Sequence, residues 1–247
     1  MRDSRILMGM PIKVEIVGAR DATTINAVFD YLHQVDARFS TYKDNSEISA
    51  FNRGEVLPAN LSDEMKEVLQ LSAITREQSR GYFEIRKADG TLDPSGIVKG
   101  WAINNAAKII RSRGHVDFFV EAGGDVQSGG QNEEGREWRV GIRSPFHCDE
   151  IIKVVTPRGQ GMATSGTYVR GQHIYNPHEP KKPIEDIVSL SVIGPDILEA
   201  DRFATAAFAM GAKGIYFIEN LSGFEGYMVN AQGTATQTTG FGAFVLS

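Results

Sequence analysis

Apolar residues recur every three to four positions in three stretches of the first half of the chain, which predicts three amphipathic helices. The second helix begins after Ser62, a residue type that caps helices, and ends before Gly81. The third follows the segment Asp93-Pro94-Ser95 and ends at Gly114. The apolar positions of the first helix are Ile25, Val28, Phe29, Leu32, Val35 and Phe39.

Short runs rich in β-branched and aromatic residues dominate the second half, and one such run precedes the first helix. Two more helices are predicted, around Asp201 and near Ile215. Hairpins mixed with separate helices favour an α+β fold with largely antiparallel sheets over a doubly wound parallel sheet. We expect one domain over residues 1–247, either undivided or built from two intimate lobes. The predicted strands are Pro11 to Val17, Val116 to Val120, Trp138 to Ile142, Ile151 to Val155, Ile187 to Val192 and Gly226 to Val229.

Composition excludes several classes of function. The 247 residues are 41% hydrophobic and carry a formal net charge of -5, so the chain lacks the basic surface of nucleic-acid-binding proteins. Its single cysteine, Cys148, rules out an internal disulfide. No run of 18 apolar residues predicts membrane insertion, and the start has no secretory h-region. We therefore expect a cytoplasmic protein, provided that Met1 is the native start.

The segment EADRFATAAF, Glu199 to Phe208, places Asp201 and Thr205 one helical turn apart. A carboxylate and a hydroxyl on one helix face suit Mg²⁺, which completes its shell with water and substrate phosphates. The structural alternative is an Asp that complements the helix dipole and a Thr bonded to a backbone carbonyl. Taken alone, the pair favours this alternative.

Three turns carry glycine and small hydroxyl residues next to β-rich runs. TLDPSGIVKG, Thr91 to Gly100, offers free N–H groups of a helix start beside Lys99, which suits a phosphate, or it is an ordinary capped helix start. EAGGDVQSGG, Glu121 to Gly130, lets the backbone approach a ligand, or it is a plain hairpin. ATSG, Ala163 to Gly166, follows a predicted strand and decides nothing by itself. Neither a P-loop nor a strand-linked G-x-G-x-x-G is present.

The order of these segments along the chain resembles the ApbE family of FAD-dependent flavin transferases. Eight segments match in the order of the family and span most of the chain: MGMPIKVEI, FSTYKDNSEISAFNRG, RGYFEI, LDPSGIVKGWAI, EAGGDVQSGG, WRVGIRSP, MATSGTYVR with HIYNP, and EADRFATAAFAMG.

The resemblance implies an ApbE-like fold and a Mg²⁺ ion that bridges the FAD pyrophosphate. Asp201, Thr205 and the backbone carbonyl of Gly96 match the positions that hold this ion in the family. Aromatic and thioether groups suit a flat flavin ring, although core packing would also explain Phe83. The residues that the resemblance implies for FAD binding are Met8, Tyr42, Tyr82, Phe83, Glu84, Asp93, Lys99, Thr164, Ser165 and Gly166.

The implied reaction transfers FMN from FAD to a Thr or Ser hydroxyl of an acceptor protein and releases AMP. Family acceptors resemble D-x-x-[ST]-x-A-T, a motif that is absent here, so the chain is predicted to modify another protein. His173 in QHIYNP is the candidate base, since an imidazole accepts a proton near neutrality, or it only orients its loop. Asn176 occupies an acidic position of the family element.

Two departures from the family concern the pocket. The segment between Phe83 and Leu92 is shorter than in typical members, which predicts a more open site, and Glu84 replaces an Asp. Two alternatives to transfer are a FAD pyrophosphatase, in which water replaces the acceptor hydroxyl, and a flavin-binding protein without turnover. The Asp201 and Thr205 pair argues against simple flavin binding, which needs no divalent cation.

Overall fold

The computed structural model describes residues 1–147, 149–166 and 174–246. This part of the chain contains ten β-strands and six α-helices. The strands are β1 (Arg2–Leu7), β2 (Met10–Ile16), β3 (Phe118–Ala122), β4 (Asp125–Gly129), β5 (Val140–Arg143), β6 (Ile151–Val155), β7 (Gly161–Gly166), β8 (Ile187–Gly194), β9 (Glu225–Asn230) and β10 (Ala235–Gln237). The helices are α1 (Thr23–Phe39), α2 (Glu47–Asn52), α3 (Asp63–Gln78), α4 (Ser95–Ser112), α5 (Ile197–Ala209) and α6 (Gly214–Glu219).

Eight strands form one sheet in the order β1-β2-β3-β4-β7-β8-β9-β10, and every neighbouring pair is antiparallel. The hairpin β5-β6 is inserted between β4 and β7 and forms a separate two-stranded sheet. The α+β prediction with antiparallel sheets is confirmed. Since the two outermost strands come from opposite ends of the chain, the sheet joins both halves.

Successive residues of the central strands point to opposite faces of the sheet, so the apolar residues form two clusters. Val120 of β3, Ala163 of β7 and Val192 of β8 pack with α1, α4 and α5 in the larger cluster. Phe119, Met162 and Ile193, each one position away, lie in the smaller cluster with β5, β6 and Phe241. The sheet is therefore covered by helices on one face and partly by the β5-β6 hairpin on the other.

The helix predictions are confirmed by burial and capping. The six apolar positions named for α1 are all buried. Ser62 caps α3, because its hydroxyl accepts a hydrogen bond from the backbone N–H of Met65. The helix that follows Pro94 is α4, and Gly114, just beyond its end, has a φ of 85°. Positive φ is favourable for glycine and ends a helix, as the sequence predicted.

Two strand predictions need correction. ATSG does not follow a strand but lies inside β7, where Ala163 and Ser165 are buried. Its glycine and hydroxyl residues indicated a turn, whereas tertiary packing places them in a central strand. Strand β1, RDSRIL, was not predicted, because it lies at the edge of the sheet and only Leu7 is buried. An edge strand exposed in this way shows no apolar alternation.

Helices α4 and α5 approach each other closely at Gly100. A Cβ at this position would lie 2.6 Å from Cβ of Asp201 and 2.7 Å from the carbonyl oxygen of Ile197. The Gly100 N–H donates a hydrogen bond of 2.7 Å to Oδ2 of Asp201. Gly100 therefore sets the distance between the two helices that carry the candidate metal ligands.

We predict that Gly100→Ala destabilises the protein by about 2 kcal/mol, since the added methyl group must push α5 away from α4. Alanine is the better helix former by up to ~1 kcal/mol, which the clash outweighs. Urea unfolding followed by circular dichroism measures the change. Lys108→Ala, at an exposed position of the same helix, is the control and should lie within about 0.5 kcal/mol of the parent. A Gly100→Ala variant as stable as the parent would contradict the packing argument.

Candidate active site

A cavity of about 600 Å³ lies where α4 and α5 meet the end of β7 and the segment that follows α3. It brings together most residues that the sequence predicted for the site. Those that line it are Tyr82, Phe83, Glu84, Asp93, Gly96, Lys99, Thr164, Ser165, Gly166, Asp201 and Thr205. Four separate parts of the chain thus converge on one volume.

The three predicted metal ligands face this cavity from two helices. Oγ1 of Thr205 on α5 lies 3.2 Å from the carbonyl oxygen of Gly96 in the first turn of α4 and donates a hydrogen bond to it. Asp201 lies one turn before Thr205 on the same helix. A Cβ at position 96 would lie 3.2 Å from Cγ2 of Thr205 and 3.3 Å from the Phe83 ring. A small residue therefore suits position 96.

Asp201 is a buried carboxylate, with 3% of its surface exposed. Burial and, to a smaller extent, Asp125 raise the pKa of Asp201, while Lys99 and the Gly100 N–H act in the opposite direction; together these effects bring the pKa to about 7. Oδ2 accepts the hydrogen bond from Gly100, and Oδ1 lies 3.7 Å from Nζ of Lys99. A cation next to this carboxylate would relieve the cost of its charge.

Lys99 lies between two buried carboxylates. Its Nζ is 2.6 Å from Oδ2 of Asp125, the first residue of β4, and only 18% of its side chain is exposed. Asp125 is fully buried, and its Oδ1 accepts a hydrogen bond from the Thr164 N–H of β7. Asp125 was not predicted as a site residue, although it follows the two glycines of EAGGDVQSGG, which the sequence did single out.

Two acidic residues at the rim are held by cations. Asp93 pairs with Lys87 at 2.9 Å and accepts a hydrogen bond from the Ser95 N–H. Burial raises the pKa of Asp93, but these hydrogen bonds outweigh it and hold the pKa below its ordinary value. Glu84 pairs with Arg76 of α3 at 2.8 Å. Lys87 also lines the cavity and was missed because a lone lysine in a polar turn carries no pattern.

Aromatic rings form part of the other wall, and a histidine packs against one of them. The Tyr82 ring meets the His178 ring edge to face, with centroids 4.6 Å apart, and Nε2 of His178 lies 3.0 Å from the Arg80 carbonyl. Phe83 is 2% exposed and belongs to the larger core cluster while it lines the cavity. Core packing of Phe83 is therefore observed, while its contact with a flavin stays a prediction.

Two predicted site residues, Met8 and Tyr42, do not line the cavity, and a third lies outside the described residues. Met8 is the first residue of the two-residue turn between β1 and β2; its φ is 53° and that of Gly9 is 72°, as in a type I′ hairpin. Tyr42 is 97% exposed. His173 lies outside the described residues. Their roles toward a flavin stay predictions.

The oxygens at the site fit Mg²⁺. A carboxylate, a hydroxyl and a backbone carbonyl are hard ligands of the kind that Mg²⁺ prefers, and a ligand set this small leaves coordination positions for water and phosphate. Among the described residues, no group of three or more His, Cys, Asp or Glu side chains could hold a metal ion. Oxygen donors that leave positions for a substrate suit Mg²⁺ better than Zn²⁺, whose sites are built mainly from Cys and His.

Comparison with known sequences gives the family. A family model described as the ApbE family matches residues 8–90 and 84–228. The chain belongs to the ApbE family. The two matched parts overlap within the segment between Phe83 and Leu92, which the sequence predicted to be shorter than in typical members.

Two relatives are both named FAD:protein FMN transferase. The one from Escherichia coli is 30% identical over 180 residues, which cover 69% of this chain and 51% of the relative. The one from Vibrio cholerae is 25% identical over 254 residues, which cover 79% and 76%. The chain spans about half the length of the first relatives that it matches.

Solved structures show the same fold. The flavin transferase ApbE from Vibrio cholerae superimposes with a TM-score of 0.85 at 21% identity, over 99% of this chain and 98% of that one. The ApbE protein from Thermotoga maritima gives 0.86 at 21% identity, over 100% and 99%. Within the described ranges, none of the helices is long and apolar enough to cross a membrane.

We predict that Asp201→Asn stabilises the metal-free protein at alkaline pH. Because the folded-state pKa, about 7, exceeds the ordinary 3.8, the folded protein keeps a proton that the unfolded chain releases. The contribution of Asp201 to the free energy of unfolding therefore falls as the pH rises from about 4 to about 7 and then levels off. The amide carries no charge, so the variant should be more stable by roughly 2 kcal/mol at pH 8 and by much less at pH 5.

Thermal unfolding in the presence of a chelator at both pH values measures this difference. Asp30→Asn, at an exposed position of α1, is the matched control and should follow the parent at each pH. An Asp201→Asn variant less stable than the parent at pH 8 would show that the buried charge is not costly.

Proposed function

We propose that this protein transfers FMN from FAD to a Thr or Ser hydroxyl of an acceptor protein and releases AMP, with Mg²⁺ bound at Gly96, Asp201 and Thr205. One observation carries the proposal. The Gly96 carbonyl, the Thr205 hydroxyl, the Asp201 carboxylate and the Lys99 ammonium all face one cavity large enough for a nucleotide. The names of the relatives support the same activity.

Residues of α4 and α5 would bind the pyrophosphate. When bound, Mg²⁺ would supply neutralisation of the charge on the pyrophosphate and on the leaving AMP. Lys99 adds a second positive charge at the same wall, and Asp201, Thr205 and Gly96 fix where the phosphates lie. In a cavity with little water, such fixed charges stabilise a transition state more strongly than they would in solution.

In the proposed reaction, the acceptor hydroxyl oxygen forms a bond to the phosphorus of the FMN half of FAD. The bond between that phosphorus and the bridging oxygen breaks, and AMP leaves with this oxygen. The hydroxyl proton passes to a base, for which His173 is the candidate from the sequence. Ile174, the next residue in the chain, lines the cavity.

The flavin would lie against Tyr82 and Phe83, whose rings form an apolar wall beside the phosphate region. Thr164, Ser165 and Gly166 at the end of β7 face the same volume with small side chains, which lets a ligand approach the strand. Tyr42, whose side chain is exposed, would stack on the flavin as the resemblance implies. The acceptor would carry a D-x-x-[ST]-x-A-T-like segment, as the resemblance implies.

We predict that a candidate acceptor incubated with this protein, FAD and Mg²⁺ gains the mass of one FMN. Asp201→Ala should lower the rate at least a hundredfold, since it removes the only side-chain carboxylate of the proposed metal ligands. His173→Ala should lower the rate while FAD binding is kept. Intact-protein mass spectrometry measures the mass gain.

Asp30→Ala is the matched control, because Asp30 is exposed on α1 and does not line the cavity; it should transfer FMN at the parent rate. Release of free FMN and AMP without a modified acceptor would favour the pyrophosphatase. Binding of FAD without Mg²⁺, unaffected by Asp201→Ala, would favour a flavin-binding protein without turnover.

Tyr42 gives a separate prediction. Since its side chain is 97% exposed, Tyr42→Ala should change the free energy of unfolding by less than about 0.5 kcal/mol. If the ring stacks on the flavin, the same variant should weaken FAD binding about fivefold to tenfold. Fluorescence titration with FAD measures the affinity, and Tyr42→Phe, which keeps the ring, should bind like the parent. Equal affinity in Tyr42→Ala would exclude the stacking role.

A further inference from the structure

We propose that Asp125 is a positioning residue that holds the Lys99 ammonium away from Asp201 and so keeps Asp201 open to the cation. This role rests on the metal site of the proposed function. It concerns a buried carboxylate that the sequence did not predict and that is not among the proposed metal ligands.

The sheet fixes the orientation of the Asp125 side chain. It is the first residue of β4, fully buried, and its Oδ1 accepts a hydrogen bond of 3.0 Å from the Thr164 N–H on β7. Its Oδ2 is directed at α4, 2.6 Å from Nζ of Lys99. A buried carboxylate that is held by a backbone N–H and paired with an ammonium has little freedom to move.

The two oxygens of Asp201 have different neighbours. Oδ2 accepts the hydrogen bond from the Gly100 N–H at 2.7 Å. Oδ1 faces Lys99, but its distance to Nζ is 3.7 Å, longer than a close ion pair. Oδ1 is therefore the oxygen for which an ammonium and a metal cation would compete.

The position of Lys99 follows from its unequal distances to the two carboxylates. Its ammonium is 1.1 Å nearer to Asp125 than to Asp201, the difference between 3.7 and 2.6 Å. Both carboxylates attract it, and the attraction grows steeply at short range in a buried environment. If the charge of Asp125 were removed, Lys99 would move toward Oδ1 of Asp201, and a cation would then have to displace it.

The test measures the Mg²⁺ concentration that gives half-maximal FAD binding. Fluorescence polarisation of FAD reports the binding. The FAD concentration is scaled to the affinity of each variant. Asp125→Asn has nearly the same shape, and its amide oxygen can still accept from Thr164, so only the charge is lost. The partner variants are Lys99→Met, which removes the competing ammonium, and the double variant.

Asp125→Asn should raise the half-maximal Mg²⁺ concentration about tenfold, the size expected when a charged group gains a new close partner. In the double variant this concentration should return to within about threefold of the parent, even though the loss of Lys99 weakens FAD binding as a whole. A purely structural role of Asp125 would not be rescued by a second change at Lys99.

A half-maximal Mg²⁺ concentration in Asp125→Asn within twofold of the parent would overturn the proposal. So would a double variant that keeps the tenfold increase, since Asp125 would then act on the cation directly. The double variant removes both members of the Asp125 and Lys99 pair, so no ammonium is buried without its nearest carboxylate. If Asp125→Asn does not fold, the double variant is compared with Lys99→Met: the two should agree within about threefold if Asp125 acts only through Lys99, and a larger difference would overturn the proposal.

FMN transfer does not enter the readout. A protein that binds or hydrolyses FAD in a Mg²⁺-dependent way would still support the role of Asp125 while the transferase assay fails. FAD binding by the parent that does not respond to Mg²⁺ would overturn the metal site and the role of Asp125 together.

Discussion

The close contact between α4 and α5 at Gly100 is the constraint on which the candidate site depends. The absence of a side chain lets the Asp201 carboxylate reach the backbone N–H of the neighbouring helix, at 2.7 Å. One turn further, the same approach brings the Thr205 hydroxyl to within 3.2 Å of the Gly96 carbonyl. Two helices that are distant in sequence therefore present their oxygens to one cavity, and a shift of either helix would separate them.

The charges of the candidate site are largely buried, which is its second physical constraint. The carboxylates of Asp125 and Asp201 lie next to the Lys99 ammonium, and all three groups are largely buried. When Asp201 is ionised, two negative charges therefore face one positive charge. Such an arrangement costs stability in the free protein, as the raised pKa of Asp201 shows. A divalent cation would turn this cost into binding energy, which is a common compromise between stability and function.

One side of the cavity is formed by helices and a strand, and the other side by segments without regular structure. Helices α4 and α5 and strand β7 supply the side that carries the proposed phosphate-binding residues, and they pack into the larger core cluster. The segment around Tyr82 to Lys87 and residues 174–177 supply the opposite side without regular structure. This division suits a chemistry that needs precise oxygens at one end and room for a second substrate at the other.

The sequence by itself determined the four long helices, the Ser62 cap of α3 and the spacing of the candidate ligands, because apolar periodicity, Ser62 and the Asp201 to Thr205 spacing are local signals. The ordered resemblance determined the family, which the family model confirms. The tertiary structure decided that ATSG lies within a strand and that Asp125, from a plain hairpin, reaches Lys99. No local pattern encodes these facts, since they depend on which segments the sheet and the helix contact bring together over some hundred residues of chain.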